Sequence, residues 1–533
     1  MTTNSTSDPP SNALQTFRFR LAASALSGFL LFACFPLLNW HLLVWFACAP
    51  LLVALVQESR PGRGFLLAYC AGAVFLAGTC HWFVDVVELH GGVARILAWG
   101  ILLLFVLVFA TFFGAFGLVE TWTAQVSRPL ALVLSPFLWV AVEIARTYLI
   151  TGFPWNLLGY AVQADGLRQV ASFAAVYGLS FLAVTTSALL AWVWLEPRRV
   201  APRIAVVGWA ALLILANWLA TPATLPKGTR VAHLLQPNVP MDRESGAKWA
   251  PWQNPAPLQN LVAMSLASVE REGKSSSARL IIWPENPAPF YFERDPVFRG
   301  TVERMAREAK SYVVVGSVNY ADSTTNHPKN TAMILEPEGR VLLAYDKIHL
   351  VPFGEYVPWW AFPGLVGKIT HEAGMFVPGS SFQTARTRDG GLGIFICYEA
   401  IFPQLVRKLV PAGPGVLVNI SNDAWFGDTA AAFQHLNMAR MRAIENGRYI
   451  LRATNDGITC VIDPHGRVLD RLPRHEALTI RAPFDYLATT TFYTAHGDVF
   501  AWACIGIAAL IMGRRIGEDR KIKRQRAKVK NQK

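Results

Sequence analysis

The sequence predicts an all-α polytopic membrane domain of about eight transmembrane helices, with an α/β domain inserted before the last of them. Hydrophobic residues make up 53% of the 533 residues and charged residues only 16%, well below the quarter that is usual in soluble domains. Long uncharged runs fill most of residues 21–226 and recur near the carboxyl end. Between them, residues 227–486 alternate short β-rich runs with helical patterns.

The apolar runs divide the first 226 residues into seven predicted spans. Residues 1–20 begin with a stretch rich in Ser, Thr, Asn and Pro and are predicted to be a disordered amino terminus. A spanning helix needs about 20 apolar residues, so Leu21–Gln57, with a turn signal at Pro36–His41, predicts two helices. The other predicted spans are Gly64–Val84, Ile96–Val119, Pro129–Ile150, Gln169–Leu195 and Ile204–Pro226, and an eighth, Val499–Gly513, lies in the return segment 487–513.

Arginine placement predicts the orientation of these spans. Basic residues in short loops stay in the cytosol, and they flank alternate spans at Arg18 and Arg20, Arg60 and Arg63, Arg128, and Arg198 to Arg203. The tail 514–533 contributes +8 of the net charge of +13, a pattern typical of cytosolic retention and anionic lipid rather than nucleic acid. Both termini are therefore predicted to be cytoplasmic, and residues 227–486 to lie outside the cytosol. A cleaved signal peptide is the alternative for the first span, but no clear small-residue cleavage site follows it.

The region 227–486 reads as a mixed α/β domain. Strands are predicted at Val231–Val239, Ala278–Asn286, Ser311–Tyr320, Gly391–Cys397 and Gly415–Ser421. The stretches Glu336–Arg340 and Asp463–Arg467 carry hairpin signals, which indicates antiparallel as well as parallel pairing. A helix is predicted to follow Cys397 through "YEAIFPQLVRKLV", and another through "AAFQHLNMARMRAIENG".

Cys397 is the cysteine best placed for chemistry. Five of the seven cysteines lie in apolar runs and read as small hydrophobic residues, and the spacing fits neither a disulfide framework nor a metal site. Cys397 ends an apolar strand, where amides of the next turn can lower its pKa and bind an oxyanion. An isolated cysteine is nevertheless more often core than catalytic.

Two charged residues at the ends of other apolar strands change that balance. Glu285 follows "LIIWP", and Lys347 follows "LLAYD". Taken alone, Glu285 could cap a helix and Lys347 could be a solvated surface charge. Together with Cys397, a carboxylate base, a thiol nucleophile and an ammonium that stabilises an oxyanion are the groups that covalent acyl transfer requires.

The motifs "WPEN", "YDKIHLVPFGEYVP" and "GIFICYEAIFP", in that order, resemble those of the nitrilase superfamily. The resemblance implies an αββα sandwich with Glu285 as base, Lys347 as oxyanion stabiliser and Cys397 as nucleophile. With "TGFPWNLLGY", "NISNDAWFG", "QHLNMARMRAIENGRYILRATNDG" and the eight spans, the chain from Leu21 to Gly513 resembles the apolipoprotein N-acyltransferase family, the membrane-embedded branch of that superfamily. It departs from the family pattern at Asn286 and at Asp428–Phe433, which bears on loop detail and substrate preference.

The resemblance implies a reaction and a location. Cys397 would take the sn-1 acyl chain of a phospholipid as a thioester and pass it to the α-amino group of a diacylglyceryl-cysteine apolipoprotein, with ping-pong kinetics. The implied partners are these two substrates and the lipid bilayer, and no cofactor, metal or nucleic acid is expected. The implied location is the bacterial inner membrane with the catalytic domain on the periplasmic side. We expect a monomer.

Several supporting residues are also implied, each with a structural alternative. Glu355 would orient Lys347 or form a loop salt bridge. Trp249 would contact substrate or anchor a loop. Arg146 and Trp155 would meet a lipid head group, although Glu143 and Arg146, one helical turn apart, could simply pair. The remaining residues would shape the acyl site, hold the bend or lend amide donors: Tyr398, Glu399, Asn419 and Asn422.

Two other functions stay open at this point. A membrane-tethered nitrilase or amidase would use the same triad but deliver water to the thioester, although a tether needs one span rather than eight. A transporter or lipid-binding receptor is the non-enzyme alternative. The near absence of ionisable residues in the spans, Glu143 and Arg146 apart, argues against ion-coupled transport.

Overall fold

A computed structural model describes residues 10–226, 228–240, 254–270, 279–285, 290–320, 327–358 and 376–514. Trp249, Asn286 and the basic tail from residue 515 onward lie outside the described residues. The chain begins with a helical part, continues into two β-sheets with flanking helices, and returns to a final apolar helix.

The first part consists of helices joined by short loops. They are α1 (Pro10–Ala33), α2 (Ala49–Gln57), α3 (Pro61–Thr79), α4 (Trp82–Leu89), α5 (Arg95–Ala124), α6 (Arg128–Tyr148), α7 (Asp165–Arg168), α8 (Ala171–Leu195) and α9 (Ala201–Ala220). Proline stands in the first turn of α3, α6 and α9, where its missing N–H costs no helical hydrogen bond. Within the described chain, six helices are long and apolar enough to cross a membrane, and the apolar segments His41–Gln57 and Val499–Arg514 are shorter.

The surfaces of these helices suit lipid rather than water. Large apolar side chains on α9 are mostly exposed, among them Ile214 at 71%, Trp218 at 72% and Leu219 at 68%. In water such a surface would favour association, whereas a bilayer solvates it. Helices α3 and α5 pack closely through small residues, since a Cβ added at Gly117 would lie 2.3 Å from the Gly64 carbonyl oxygen. The chain is therefore built as a membrane protein.

Two six-stranded sheets form a domain outside the helical part of the chain, named the outer domain for that reason. Their strands are β1 (Arg230–Gln236), β2 (Arg279–Ile282), β3 (Ser311–Tyr320), β4 (Pro328–Leu335), β5 (Val341–Asp346), β6 (Thr384–Arg386), β7 (Gly391–Ile396), β8 (Val416–Ser421), β9 (Ile450–Thr454), β10 (Cys460–Ile462), β11 (Val468–Arg471) and β12 (Leu478–Phe484). The sheet orders are β12-β1-β2-β3-β4-β5 and β11-β10-β9-β8-β7-β6. In each sheet three parallel central strands are flanked by antiparallel ones, and both predicted hairpins are present as β4–β5 and β10–β11.

The two sheets pack face to face and carry helices on their outer faces. Leu280 and Ile282 of β2 point into the core shared with the second sheet, while Ile281 packs on the opposite side against helices α10 (Ala256–Glu270) and α11 (Pro296–Ala309). This alternation is the two-residue period of a strand buried on both faces. Helices α12 (Pro403–Leu409), α13 (Ala431–Asn446) and α14 (Phe492–His496) follow the second sheet or its loops, before α15 (Val499–Arg514). The layers form the αββα sandwich expected from the sequence.

The helix predicted directly after Cys397 is wrong in detail. Residues Cys397–Ile401 form a 3₁₀ turn, and α12 begins only at Pro403. Proline disfavours helical geometry in the residue before it, and Phe402 is extended at φ −96° and ψ 103°. The break leaves Cys397 on a tight turn at the end of β7.

Candidate active site

Three strand ends from both sheets meet at one place. Glu285 lies three residues after β2, Lys347 directly follows β5, and Cys397 directly follows β7. Because β2 and β5 belong to one sheet and β7 to the other, only the face-to-face packing brings the three together. All three residues are buried, Cys397 being 8% exposed.

Lys347 is held between two carboxylates. Its Nζ lies 3.3 Å from Glu285 Oε1 and 2.9 Å from Glu355 Oε1. Burial alone would lower the pKa of Lys347, but the negative charges of Glu285 and Glu355 outweigh that effect and raise it. Lys347 is therefore a fixed ammonium at neutral pH.

Asn330 on β4 binds both carboxylates and fixes the distance between them. Its Nδ2 donates to Glu285 Oε1 at 2.7 Å and to Glu355 Oε1 at 2.8 Å. The second oxygens are fixed by backbone amides: Asn422 N donates to Glu285 at 3.0 Å and Val351 N to Glu355 at 2.8 Å. Sequence analysis missed Asn330, although a buried amide among the apolar residues of a strand was an available signal.

Cys397 has a strained backbone and a shielded thiol. Its φ is +47°, in the left-handed region that costs a non-glycine residue about 1–3 kcal/mol and that clusters at functional sites. Burial, followed by the negative charge of Glu285, raises the pKa of the Cys397 thiol, while the ammonium of Lys347 and a hydrogen bond with Ser421 oppose the rise. The residue therefore rests as a thiol, and a reaction at its sulfur would need a base.

Glu399 ties the end of β7 to the segment that carries Lys347. Its carboxylate accepts hydrogen bonds from the backbone N–H of Ile396 at 2.6 Å and of Ile348 at 2.7 Å, and from the hydroxyl of Tyr345 at 3.1 Å. Burial raises the pKa of Glu399 to about 7, although these amides act in the other direction. Glu399 thus fixes the backbone on both sides of the site.

Tyr398, Asn419 and Asn422 each make a different kind of contact. Tyr398 is buried beside His349 and Phe402, with ring centroids 5.9 and 5.3 Å away. Asn419 donates its amide to the Phe395 carbonyl at 3.2 Å, so that amide braces β7 instead of facing the thiol. Asn422 meets Glu285 through its backbone N–H rather than its side chain.

A buried polar network underlies the turn at Cys397. His435 Nε2 donates to the Cys397 carbonyl at 3.1 Å, and its Nδ1 lies 3.0 Å from Asp423 Oδ1. Asp423 also accepts from Ser421 at 2.7 Å and from Arg452 at 2.6 Å. Burial alone would raise the pKa of Asp423, but Arg452 and His435 hold it well below its ordinary value.

This network was missed because its members look unrelated in sequence. Asp423, His435 and Arg452 come from a turn, a helix and a strand. Their charge and complete burial are visible only in the folded chain. A buried charge must be paired, so the cluster contributes to a fixed geometry around Cys397.

The expectation that Arg146 and Trp155 meet a lipid head group at an exposed interface needs correction. They are 2% and 1% exposed, and Arg146 donates to the Trp155 carbonyl at 2.8 Å. Trp155 Nε1 donates to Gln434 Oε1 at 2.7 Å, so the two residues join α6 to α13. Glu143 instead accepts from Trp139 at 3.0 Å and from the Leu158 N–H at 2.8 Å.

Gln434 makes several of the hydrogen bonds between α13 and the helical part of the chain. Besides binding Trp155, it donates to the carbonyls of Pro36 and Thr79, both at 3.2 Å. Pro36 lies three residues after the end of α1, and Thr79 is the last residue of α3. One buried amide therefore connects three segments of the membrane part to the outer domain.

Comparison with known proteins matches both halves of the chain. Residues 239–490 match the family model described as carbon-nitrogen hydrolase, and residues 27–189 match that of the apolipoprotein N-acyltransferase N-terminal domain. A curated protein named apolipoprotein N-acyltransferase from Geobacter metallireducens is 35% identical over 92% of this chain and 94% of its own length. One of the same name from Methylococcus capsulatus is 36% identical over 87% and 90%.

Solved structures similar to this chain include an amidase of the nitrilase superfamily from Nesterenkonia AN1. It is 18% identical, covers 51% of this chain and 96% of its own, and has a TM-score of 0.37.

Proposed function

Because this chain belongs to the apolipoprotein N-acyltransferase family, we propose that it transfers the sn-1 acyl chain of a phospholipid to the amino-terminal amine of diacylglyceryl-cysteine apolipoproteins. The observation that carries the proposal is the Lys347 ammonium fixed by Glu285 and Glu355 next to a strained, buried cysteine. The proposal is also supported by a membrane part whose exposed apolar helix surfaces suit contact with a lipid substrate.

In the first half-reaction, Glu285 takes the proton of the Cys397 thiol while the sulfur attacks the ester carbonyl of the phospholipid. The negative charge that develops on the carbonyl oxygen is stabilised by Lys347. The attack gives a tetrahedral intermediate, and its collapse forms the thioester and breaks the ester bond. The leaving alkoxide takes the proton back from Glu285 and departs as lysophospholipid.

In the second half-reaction, the apolipoprotein amine attacks the thioester carbonyl. Glu285 accepts a proton from the amine, and Lys347 again faces the oxyanion. Collapse expels the Cys397 sulfur, which regains a proton as the amide product leaves. The net exchange converts one ester and one amine into one alcohol and one amide, and leaves the enzyme unchanged.

Glu355 and Asn330 act through the other groups. The second carboxylate keeps Lys347 charged and aimed while Glu285 changes protonation state, and Asn330 keeps the spacing of both carboxylates. A buried site that excludes water favours attack by the amine over hydrolysis of the thioester. We place the protein in the bacterial inner membrane, with this domain periplasmic and both termini cytoplasmic, from the distribution of arginines between loops.

The test is intact-mass analysis of the full chain after incubation with phospholipid. We expect an added acyl mass that hydroxylamine removes, present in the wild type and missing in Cys397→Ser. Addition of a diacylated lipopeptide should discharge the adduct and yield the N-acylated peptide. Release of free fatty acid or ammonia without peptide acylation would instead support a tethered hydrolase of the nitrilase or amidase type.

A further inference from the structure

A large open cleft lies on the side of α13 that faces away from Cys397. Its volume is about 1100 Å³, and Phe433, Asn437 and Arg440 of α13 line one wall. These residues are spaced four and three apart and so share one helix face, whereas His435, which binds the Cys397 carbonyl, lies on the other. The cleft is therefore a separate place from the candidate active site.

The remaining walls come from segments next to the spans. They are the loop after α1, from Pro36 to His41, the segment before α8, from Gln163 to Arg168, which includes α7, the loop before α13, from Asp428 to Ala430, and the hairpin strand β11 with Arg467. Leu37 at the mouth is 61% exposed, and Phe433 and Leu469 are 41% and 48% exposed. The mouth thus opens where the helical spans meet the outer domain, with apolar side chains around it.

The cleft is lined by four arginines, Arg168, Arg440, Arg467 and Arg471, and by three aspartates, Asp165, Asp428 and Asp470. Arg168 forms an ion pair with Asp165, and Arg467 Nε lies 3.4 Å from the other oxygen of that carboxylate. Arg440 binds neutral oxygens instead, the Gly466 carbonyl at 2.8 Å and Gln163 Oε1 at 3.3 Å. In the described part of the chain, no carboxylate lies within ion-pair distance of Arg440. The lining therefore carries an excess of one positive charge, and Asp428 is already paired with Arg474 at 3.3 Å.

That excess charge is partly shielded from water. Burial, reinforced by repulsion from the Arg168 guanidinium, lowers the pKa of Arg440 to about 10. Arg440 is still charged at neutral pH, and a poorly solvated cation gains from a nearby anion. Guanidinium groups match phosphate oxygens in geometry as well as in charge.

We propose that this cleft binds the phosphodiester head group of a glycerophospholipid from the adjacent leaflet, as a second lipid site apart from Cys397. The arginines would bind the phosphate, and the exposed apolar side chains at the mouth would contact the glycerol and the first acyl carbons. The combination favours an anionic amphiphile over free phosphate. The proposal relies on the membrane placement given above but not on the acyl-transfer chemistry.

Native mass spectrometry of the full chain in detergent micelles tests it, with Cys397→Ser in every variant so that no donor is consumed. The probe is phosphatidylglycerol, with diacylglycerol as the matched lipid that lacks phosphate. We expect Arg440→Gln to weaken the binding of one phosphatidylglycerol at least tenfold. Arg299→Gln changes an exposed residue of α11 that does not line the cleft, and it should leave binding unchanged.

Asn437→Glu covers the case in which Arg440→Gln does not fold. It adds a negative charge on the same wall while keeping an oxygen that can accept from Arg440, as Asn437 Oδ1 does at 3.2 Å. It should reduce phosphatidylglycerol binding by a similar factor. Equal binding to both variants and the control, or equal binding of diacylglycerol, overturns the proposal. Displacement of the lipid by millimolar inorganic phosphate would show a free-anion site and overturn it as well.

Discussion

His435 is expected to control how fast Cys397 is acylated, although its side chain is fully buried and binds the backbone of Cys397. Its Nε2 donates to the Cys397 carbonyl at 3.1 Å and its Nδ1 contacts Asp423 at 3.0 Å. The Cys397 backbone sits at φ +47°, a conformation that persists only where its surroundings fix it. The His435→Ala substitution removes one restraint on that strained position.

The size of the effect follows from these contacts. A neutral buried hydrogen bond contributes about 1 kcal/mol and one to a charged group about 1.5–3 kcal/mol. If about 1.4–2.8 kcal/mol of the lost energy appears in the barrier, the rate of thioester formation falls about 10- to 100-fold. Single-turnover intact-mass analysis measures that rate, and thermal unfolding in detergent checks that the variant is folded.

Two further substitutions separate positioning from packing. The amide nitrogen of Gln can replace Nε2 of His435, whereas that of Asn can replace Nδ1. We therefore expect His435→Gln to recover most of the rate and His435→Asn to resemble the alanine variant. Equal rates in the Gln and Asn variants, or wild-type acylation in a folded His435→Ala, would refute the role assigned to the carbonyl contact.

Three other predictions concern the same structure. Asn330→Leu should slow thioester formation about tenfold or more, because both carboxylates beside the lysine lose a donor of about 1.5–3 kcal/mol, and wild-type single-turnover rates would contradict this. Gln434→Leu should lower the unfolding temperature in detergent more than the exposed Gln259→Leu does, because three buried contacts at the domain junction are lost; equal shifts would argue against that junction. The folded-state pKa of Glu399 is raised to about 7 from its ordinary 4.5, so its contribution to stability is present below pH 4.5 and is lost as pH rises to about 7. Glu399→Gln should lack that decline in a pH series of thermal unfolding, and an unchanged pH profile would count against the buried carboxyl.

Local chemistry in the chain was sufficient to predict much of the outer domain. The β-rich runs at Ser311–Tyr320 and Gly415–Ser421 became β3 and β8, because nearly continuous runs rich in Val and Ile suit a strand buried on both faces. The turn residues of Glu336–Arg340 formed a hairpin, with Gly339 at φ +80°. Around Cys397 the pattern was less informative, because Pro403 breaks what otherwise resembles one continuous helix.

Other features depend on contacts between distant segments. Arg146 and Trp155 lie near the end of a span in sequence, which favoured an interfacial role. Tertiary packing instead buries both, and Trp155 binds Gln434, 279 residues away. Asn330 reads as an ordinary strand residue until β4 places it between Glu285 and Glu355. The periodicity of a sequence does not predict which buried polar groups will form hydrogen bonds with one another.

The sequence by itself determined that this protein is a membrane protein with an α/β outer domain, and its strand ends and family motifs predicted the acid, the lysine and the thiol. Hydrophobicity and strand periodicity are local properties, so the amino-acid order is enough to read them. Only the tertiary structure decided that two sheets bring those ends together, that His435 and Asn330 fix their geometry, and that an arginine-lined cleft opens beside the spans. These depend on distances between residues far apart in the chain, which are set when the whole core packs.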